Sequence, residues 1–286
     1  MKRYRDIAGD GGSNVVGQLA AQAARLRRNL EAVRAVVAVV SGKGGVGKST
    51  LAANLADALA RDGARVGVLD CDLNGPSIAK ILGVRGRRLE LAGAGVRPPV
   101  TAAGVRVMSM DLLLPSDETP LTWAAPTQAE AHTWRGSLEA QALREFLGDT
   151  AWGALDVLLL DLPPGTDRLP TVAGLVPALA GAVVVTIPSD VAHLVVRKTI
   201  TVAREAGVPV LGLVENMAGL LPGPDAASLA AEAAVPFLGR VPFDPALARA
   251  GDRGEPYLAT APADAEAARA LRALADRLRA TVAPGP

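Results

Sequence analysis

Cysteine occurs once, at Cys71, so no disulfide can form within the chain. Aromatic side chains make up only 3% of the sequence, although 50% of the residues are hydrophobic. The apolar content is therefore mostly alanine, valine and leucine, which suits helices packed on a buried sheet. An excess of either charge is also missing: 30 basic residues face 29 acidic ones, leaving a net charge of +1. That balance offers no electrostatic ground for holding nucleic acid or a phospholipid surface, and neither partner is expected. No run approaches the ~20 apolar residues of a membrane span. Met1 to Asp10 is charged and lacks the apolar stretch of a signal peptide. A cytoplasmic protein is the expectation.

Order comes from alternation. Residues 1–13 are polar and glycine-rich, and disorder is expected there. Val16, Leu19, Ala23, Leu26, Leu30 and Val33 then recur at steps of three and four, which is one face of a helix. That face either docks on its own domain or binds a partner. Residues 1–33 thus read as an N-terminal extension, a disordered start followed by an amphipathic helix, and 34–286 as one domain. Strands are predicted over Ala35–Val40, Arg65–Leu69, Val105–Met110, Leu155–Leu160, Ala182–Ile187 and Val208–Val214, with short runs near Phe237 and Val241. Helices are predicted over Leu51–Ala60, Ser137–Leu147, Val191–Ala206 and Ala263–Thr281. Near-continuous apolar strands alternating with helices predict an α/β fold, a mainly parallel sheet with helices on both faces. In such sheets ligands sit at the carboxyl ends of the strands. The stretch 84–135, irregular and holding one strand, reads as an insertion on the same domain.

Gly42 to Ser49 (GKGGVGKS) matches the phosphate-loop pattern G-x-x-x-x-G-K-[ST] at every fixed position, between a strand and a helix. This makes 34–286 a P-loop ATPase domain by expectation. Gly44, Gly45, Val46 and Gly47 offer backbone N–H groups to phosphate oxygens, and the helix that follows adds its positive dipole end. Lys48 is expected to reach the β- and γ-phosphates of ATP, Ser49 to bind Mg²⁺, and Thr50 to contact the α-phosphate. Asp161 ends an apolar strand, the Walker B position for Mg²⁺. The loop Leu162-Pro163-Pro164-Gly165-Thr166 follows it and reads as a switch that senses the γ-phosphate. Asp70 and Asp72 end another strand, spaced so that both point to one side while Cys71 points the other way, into the core.

Lys43, placed just after the first glycine, resembles the deviant Walker A signature of the MinD/ParA/nitrogenase-iron-protein group. That resemblance implies two subunits closing on two ATP molecules, with Lys43 crossing to the partner's phosphates as an arginine finger would. It also implies that Asp72 positions the attacking water, and that Asp70 supports Mg²⁺ or the phosphate loop. Asp70 to Ser77 (DCDLNGPS), Trp134-Arg135-Gly136, Asp161 to Thr166 (DLPPGT) and Glu215-Asn216-Met217 together resemble the Mrp/ApbC family of P-loop ATPases, from about residue 34 to about 260. By that resemblance Asn216 reads the adenine edge, and the loop carrying Pro242 packs beside the base. The family implies a [4Fe–4S] cluster held at a dimer interface and passed to client apo-proteins, usually through a C-x-x-C pair just after Glu-Asn-Met. Here that stretch reads Ala218 to Asp225 (AGLLPGPD) without either cysteine, and Cys71 is the one thiolate available. Two functions remain open: an ATPase of iron–sulfur assembly, as a homodimer or paired with a related ATPase, or a cluster-free dimer switch that recruits or loads another protein. A MinD/ParA-type positioning role is a third reading; it would need a membrane-binding last helix or a DNA-binding basic face, which the alanine-rich last helix does not suggest. His132 and His193, the two histidines, read as ordinary residues.

Overall fold

The computed structural model describes residues 15–92, 95–114, 116, 119, 128–176 and 179–283. The disorder expected for residues 1–13 and most of the loop expected around Pro115 to Pro126 fall outside them. Helix α1 (Val15–Leu30) leads into β1 (Val36–Ser41), α2 (Lys48–Arg61), β2 (Val66–Asp70) and the one-turn α3 (Ile78–Ile81). A hairpin of β3 (Glu90–Ala92) and β4 (Gly95–Arg97) precedes β5 (Arg106–Met108), α4 (Gln128–Asp149), β6 (Val157–Asp161) and α5 (Arg168–Leu175). Then come β7 (Leu179–Thr186), α6 (Asp190–Glu205), β8 (Val210–Ala218), α7 (Ala226–Glu232) and β9 (Phe237–Pro242). Helices α8 (Pro245–Arg253), α9 (Tyr257–Thr260) and α10 (Glu266–Val282) close the described chain.

Seven strands form one parallel sheet in the order β5-β2-β6-β1-β7-β8-β9. Both faces are covered, and β1 shows why its sequence is an unbroken apolar run. Val37 and Val39 join a core with Leu51, Leu55 and Leu59 of α2 and Leu271, Leu274 and Leu278 of α10. Val36, Ala38 and Val40 join the opposite core with Leu143 and Leu147 of α4 and Val196 and Ile200 of α6. Each wholly buried leucine contributes roughly 1.5–3 kcal/mol relative to exposure. The apolar face of α10 is thus used inside the domain. Among the described residues no helix is long and apolar enough to cross a membrane.

The carboxyl-terminal part of the α1 face docks on its own chain through Leu26 and Leu30, while Ala23 is exposed. Leu26 packs with Leu143, Phe146 and Leu147, Arg25 pairs with Asp149 at 2.7 Å, and Asn29 Nδ2 donates to the carbonyls of Leu147 and Thr150. Some expected bounds shift. Helix α4 already begins at Gln128, and β8 runs on to Ala218 because its tail pairs with Pro242 of β9. The stretch 84–135 holds the β3–β4 hairpin as well as β5. The short helices α3, α7, α8 and α9 left little periodic signal, being below the length at which a helix is stable alone. Caps mark two of them: Asp225 accepts from Ser228 N, and Asp244 accepts from Ala246 N with Pro245 behind it.

At the amino end of β6, Arg65 makes a two-pronged pair with Asp156, at 2.8 and 3.1 Å, and holds its carboxyl down to about 2. A lowered carboxyl value contributes stability above the unfolded value near 4, lost as pH falls toward 2. Asp156→Asn should therefore lower the melting temperature only slightly at pH 7, since the pair is largely exposed. The difference should vanish near pH 2 in thermal scans across that range.

Candidate nucleotide-binding site

The site begins where β1 stops. Gly45 and Gly47 both take positive φ, 78° and 76°, and turn the loop back over the start of α2. Gly47 is the residue before α2, and no side chain caps that end, so its first N–H groups face the loop. Val46 is buried and anchors the loop in the core. A methyl group on Gly47 would stand 2.3 Å from Asn216 Nδ2. Gly47→Ala combines that collision with left-handed strain of about 1–2 kcal/mol. Nucleotide affinity should fall by about tenfold or more, read by titration with a fluorescent ATP analogue.

Behind the loop two strand tips meet. Asp70 and Asp161 are register partners on β2 and β6, and Val39 of β1 pairs with Asp161 on the other side. Lys48 Nζ lies 2.5 Å from Asp161 Oδ1, fully inside the protein, and donates to Ser49 Oγ at 3.2 Å. Asp161 Oδ2 is buried without a hydrogen-bond partner among the described residues. Burial pushes the Asp161 carboxyl above its ordinary value, and the Lys48 ammonium pulls against that push. Asp70 is pushed up to about 7 by burial and by the nearby Asp161 charge. Its oxygens accept from the backbone N–H groups of Asp72, Ser77 and Ile78 and from Ser109 Oγ, so it organises the loop that follows β2.

A cavity of about 500 Å³ opens over these residues, within the size range of small-molecule sites. Lys43 to Thr50 line it, together with Asp72 and Pro164 and with Lys80, Arg85, Asp111 and Asp252. Lys43 is half-buried, and Ser41 Oγ donates to its carbonyl oxygen at 3.0 Å. Asp72 accepts from Gly75 N at 3.1 Å. The loop after β6 is tied to β1 by hydrogen bonds from Leu162 N to Val39 O and from Gly165 N to Ser41 O. The structure therefore gathers Lys43, Gly44, Gly45, Val46, Gly47, Lys48, Ser49, Thr50 and Asp72 around one cavity, with Asp161 and Asp70 beneath. Asn216 and Pro242 stand outside its wall. Asn216 lies behind the loop and donates through Nδ2 to Val46 O at 2.8 Å, while Pro242 pairs with Ala218 at the end of β9.

Sequence reasoning missed the Arg85–Asp111 ion pair at 2.8 Å on the cavity wall. Asp111 closely follows the tip of β5, and the rule that sites gather at strand ends could have found it. Trp134 and Arg135 fall on α4, with side chains outside the described set. His193 is buried on α6, where burial holds its imidazole below the ordinary value.

Cys71 is 4% exposed and packs in the core, and burial pushes its thiol well above the ordinary range. Cluster ligation needs accessible thiolates. Among the described residues no group of three or more His, Cys, Asp and Glu side chains is placed to hold a metal ion.

A parallel sheet with a glycine loop wrapped on a helix start, a buried lysine and acidic strand tips defines a P-loop NTPase of MinD/ParA architecture. The chain belongs to the ParA-type family described as NUBPL iron-transfer P-loop NTPases, whose profile matches residues 32–279. It is 40% identical to the iron-sulfur cluster carrier proteins of Saccharolobus solfataricus and Methanocaldococcus jannaschii. Those alignments cover 89% and 84% of this chain and 86% and 83% of the relatives. A nucleotide-binding protein from Archaeoglobus fulgidus, solved in complex with ADP, superposes with a TM-score of 0.69 at 36% identity, covering 82% of this chain and 92% of its own. MinD from Pyrococcus horikoshii, solved with Mg-ADP, shares the fold, with a TM-score of 0.63 at 24% identity, covering 88% of this chain and 99% of its own.

Proposed function

We propose that this chain binds ATP with Mg²⁺, hydrolyses it as a two-chain assembly in the cytoplasm, and serves iron–sulfur cluster assembly or transfer. The observation that carries the reading is the buried Lys48–Asp161 pair beside Ser49, at the floor of a cavity walled by Lys43 and Asp72. Asp161 Oδ2 is buried and unpartnered, which fits a hard cation approached by oxygen ligands. Ser49 and Asp161 would hold Mg²⁺, which neutralises charge on the β- and γ-phosphates when bound. Phosphate oxygens take over the Lys48 ammonium from Asp161, while the N–H groups of Gly44 to Thr50 cradle the phosphates. The role of Asp70 is to hold the Asp72 loop in place through its three backbone hydrogen bonds. Asp72 orients water toward the γ-phosphate, and Lys43 crosses to the partner's phosphates. After hydrolysis the loops at Asp72 and Gly165 release and the two chains relax. The partner is a second copy or a related ATPase. Asn216 and the Pro242 loop take the base side once the nucleotide is seated.

The buried thiol of Cys71, with no cysteine in Ala218 to Asp225, favours a second reading for the cargo. In that reading the chain is a cluster-free switch that recruits or loads another protein. Phosphate release measured alongside anaerobic reconstitution with iron and sulfide separates the two. Stoichiometric iron that is lost in Cys71→Ala supports a carrier of altered ligation. Turnover without bound iron supports the switch, and absence of turnover with Mg·ATP sinks both.

A further inference from the structure

Glu139 sits on α4, outside the nucleotide cavity, and is only 4% exposed. Leu143, Phe146 and Leu147 follow it on the buried face of that helix, at steps of four, three and one. An apolar residue at 139 would extend the core at no electrostatic cost, whereas a buried carboxylate must be compensated. Two of its partners come from loops. Asn74 Nδ2 donates to Glu139 Oε1 at 2.8 Å, and Arg168 Nη2 lies 2.5 Å from Glu139 Oε2. Asn74 lies just past Asp72 in the loop after β2, and Arg168 opens α5 just past Gly165 in the loop after β6. Asp72, Asn74, Glu139, Pro163 and Arg168 surround a small void of about 40 Å³, which leaves these loops room to shift.

We propose that Glu139 is a positioning residue that ties the Asp72 loop to the Gly165 loop, so that both answer the γ-phosphate as one unit. The inference rests on the nucleotide reading above and deepens it. If one loop moves alone, it withdraws a partner from a buried charge, which is costly. A joint movement keeps the carboxylate satisfied. Two segments that follow different strands are thereby coupled through a residue that does not line the nucleotide cavity.

The test uses the full chain with Glu139→Gln and Glu139→Leu. Glutamine keeps the shape, and leucine matches the surrounding core, so the fold should survive in at least one variant. Turnover and KM for ATP are measured together with hydrogen exchange in residues 72–77 and 163–169, with and without Mg·ATP. Wild-type segments should gain protection together. In the variants kcat should fall about tenfold with KM changed by less than about twofold, and the two segments should gain protection unequally. Arg168 is 30% exposed and can turn to solvent in the leucine variant, so kcat should fall there even where the melting temperature is kept, which a purely structural role for Glu139 would not give. Variants with wild-type kcat and matched protection overturn the inference alone. A wild type that neither binds nor hydrolyses ATP overturns the nucleotide reading and this inference with it.

Discussion

Lys43→Ala should bind ATP almost as tightly as the wild type and hydrolyse it about 10³-fold more slowly. The reason lies in what Lys43 touches and what it leaves alone. Its neighbour in the loop, Lys48, is buried against Asp161, whereas Lys43 is half-buried at the cavity edge. Removing Lys43 leaves the loop's backbone N–H groups and Lys48 in place, so ground-state binding persists. It removes a positive charge that becomes worth most when charge spreads over the transferred phosphoryl group. Steady-state phosphate release and equilibrium ATP binding, measured side by side, check the split. Wild-type turnover in this variant would rule out a lysine acting across two chains.

Asp72→Ala should retain ATP through gel filtration while turnover falls by at least about 10². The Asp72 carboxylate accepts from Gly75 N and lines the cavity, on a loop held by Asp70. Alanine removes the group proposed to orient water but leaves the Asp70 hydrogen bonds to the backbone of Asp72, Ser77 and Ile78. The site should stay assembled and stall before hydrolysis. Chasing radiolabelled ATP with unlabelled nucleotide measures this directly. Rapid loss of ATP from the variant would mean Asp72 acts in binding.

Much of this site was legible because its parts are local. Residues 42–50 carry loop, lysine and helix start in one stretch, and the β-strand pattern put Asp70 and Asp161 at strand tips before any contact was known. Pairings between distant segments were not legible. The Lys48–Asp161 contact, the Arg85–Asp111 pair and the Glu139 link to Asn74 and Arg168 each join residues on separate elements. Periodicity gives the face of a helix but not which loop it will meet. Asn216 illustrates the limit. Its base-side role was implied by the family resemblance alone, and the strand pattern stopped at Val214, whereas β8 continues through Asn216 because β9 supplies a partner. Its amide then holds the phosphate loop through Val46 O.

Closure of two chains on ATP is tested most directly by sedimentation equilibrium of the wild type with Mg²⁺ and a non-hydrolysable ATP analogue, against the same sample with ADP. A two-chain mass with the analogue, falling toward one chain with ADP, is the expected result. A one-chain mass under saturating analogue would contradict it, because Lys43 would then have no second site to reach.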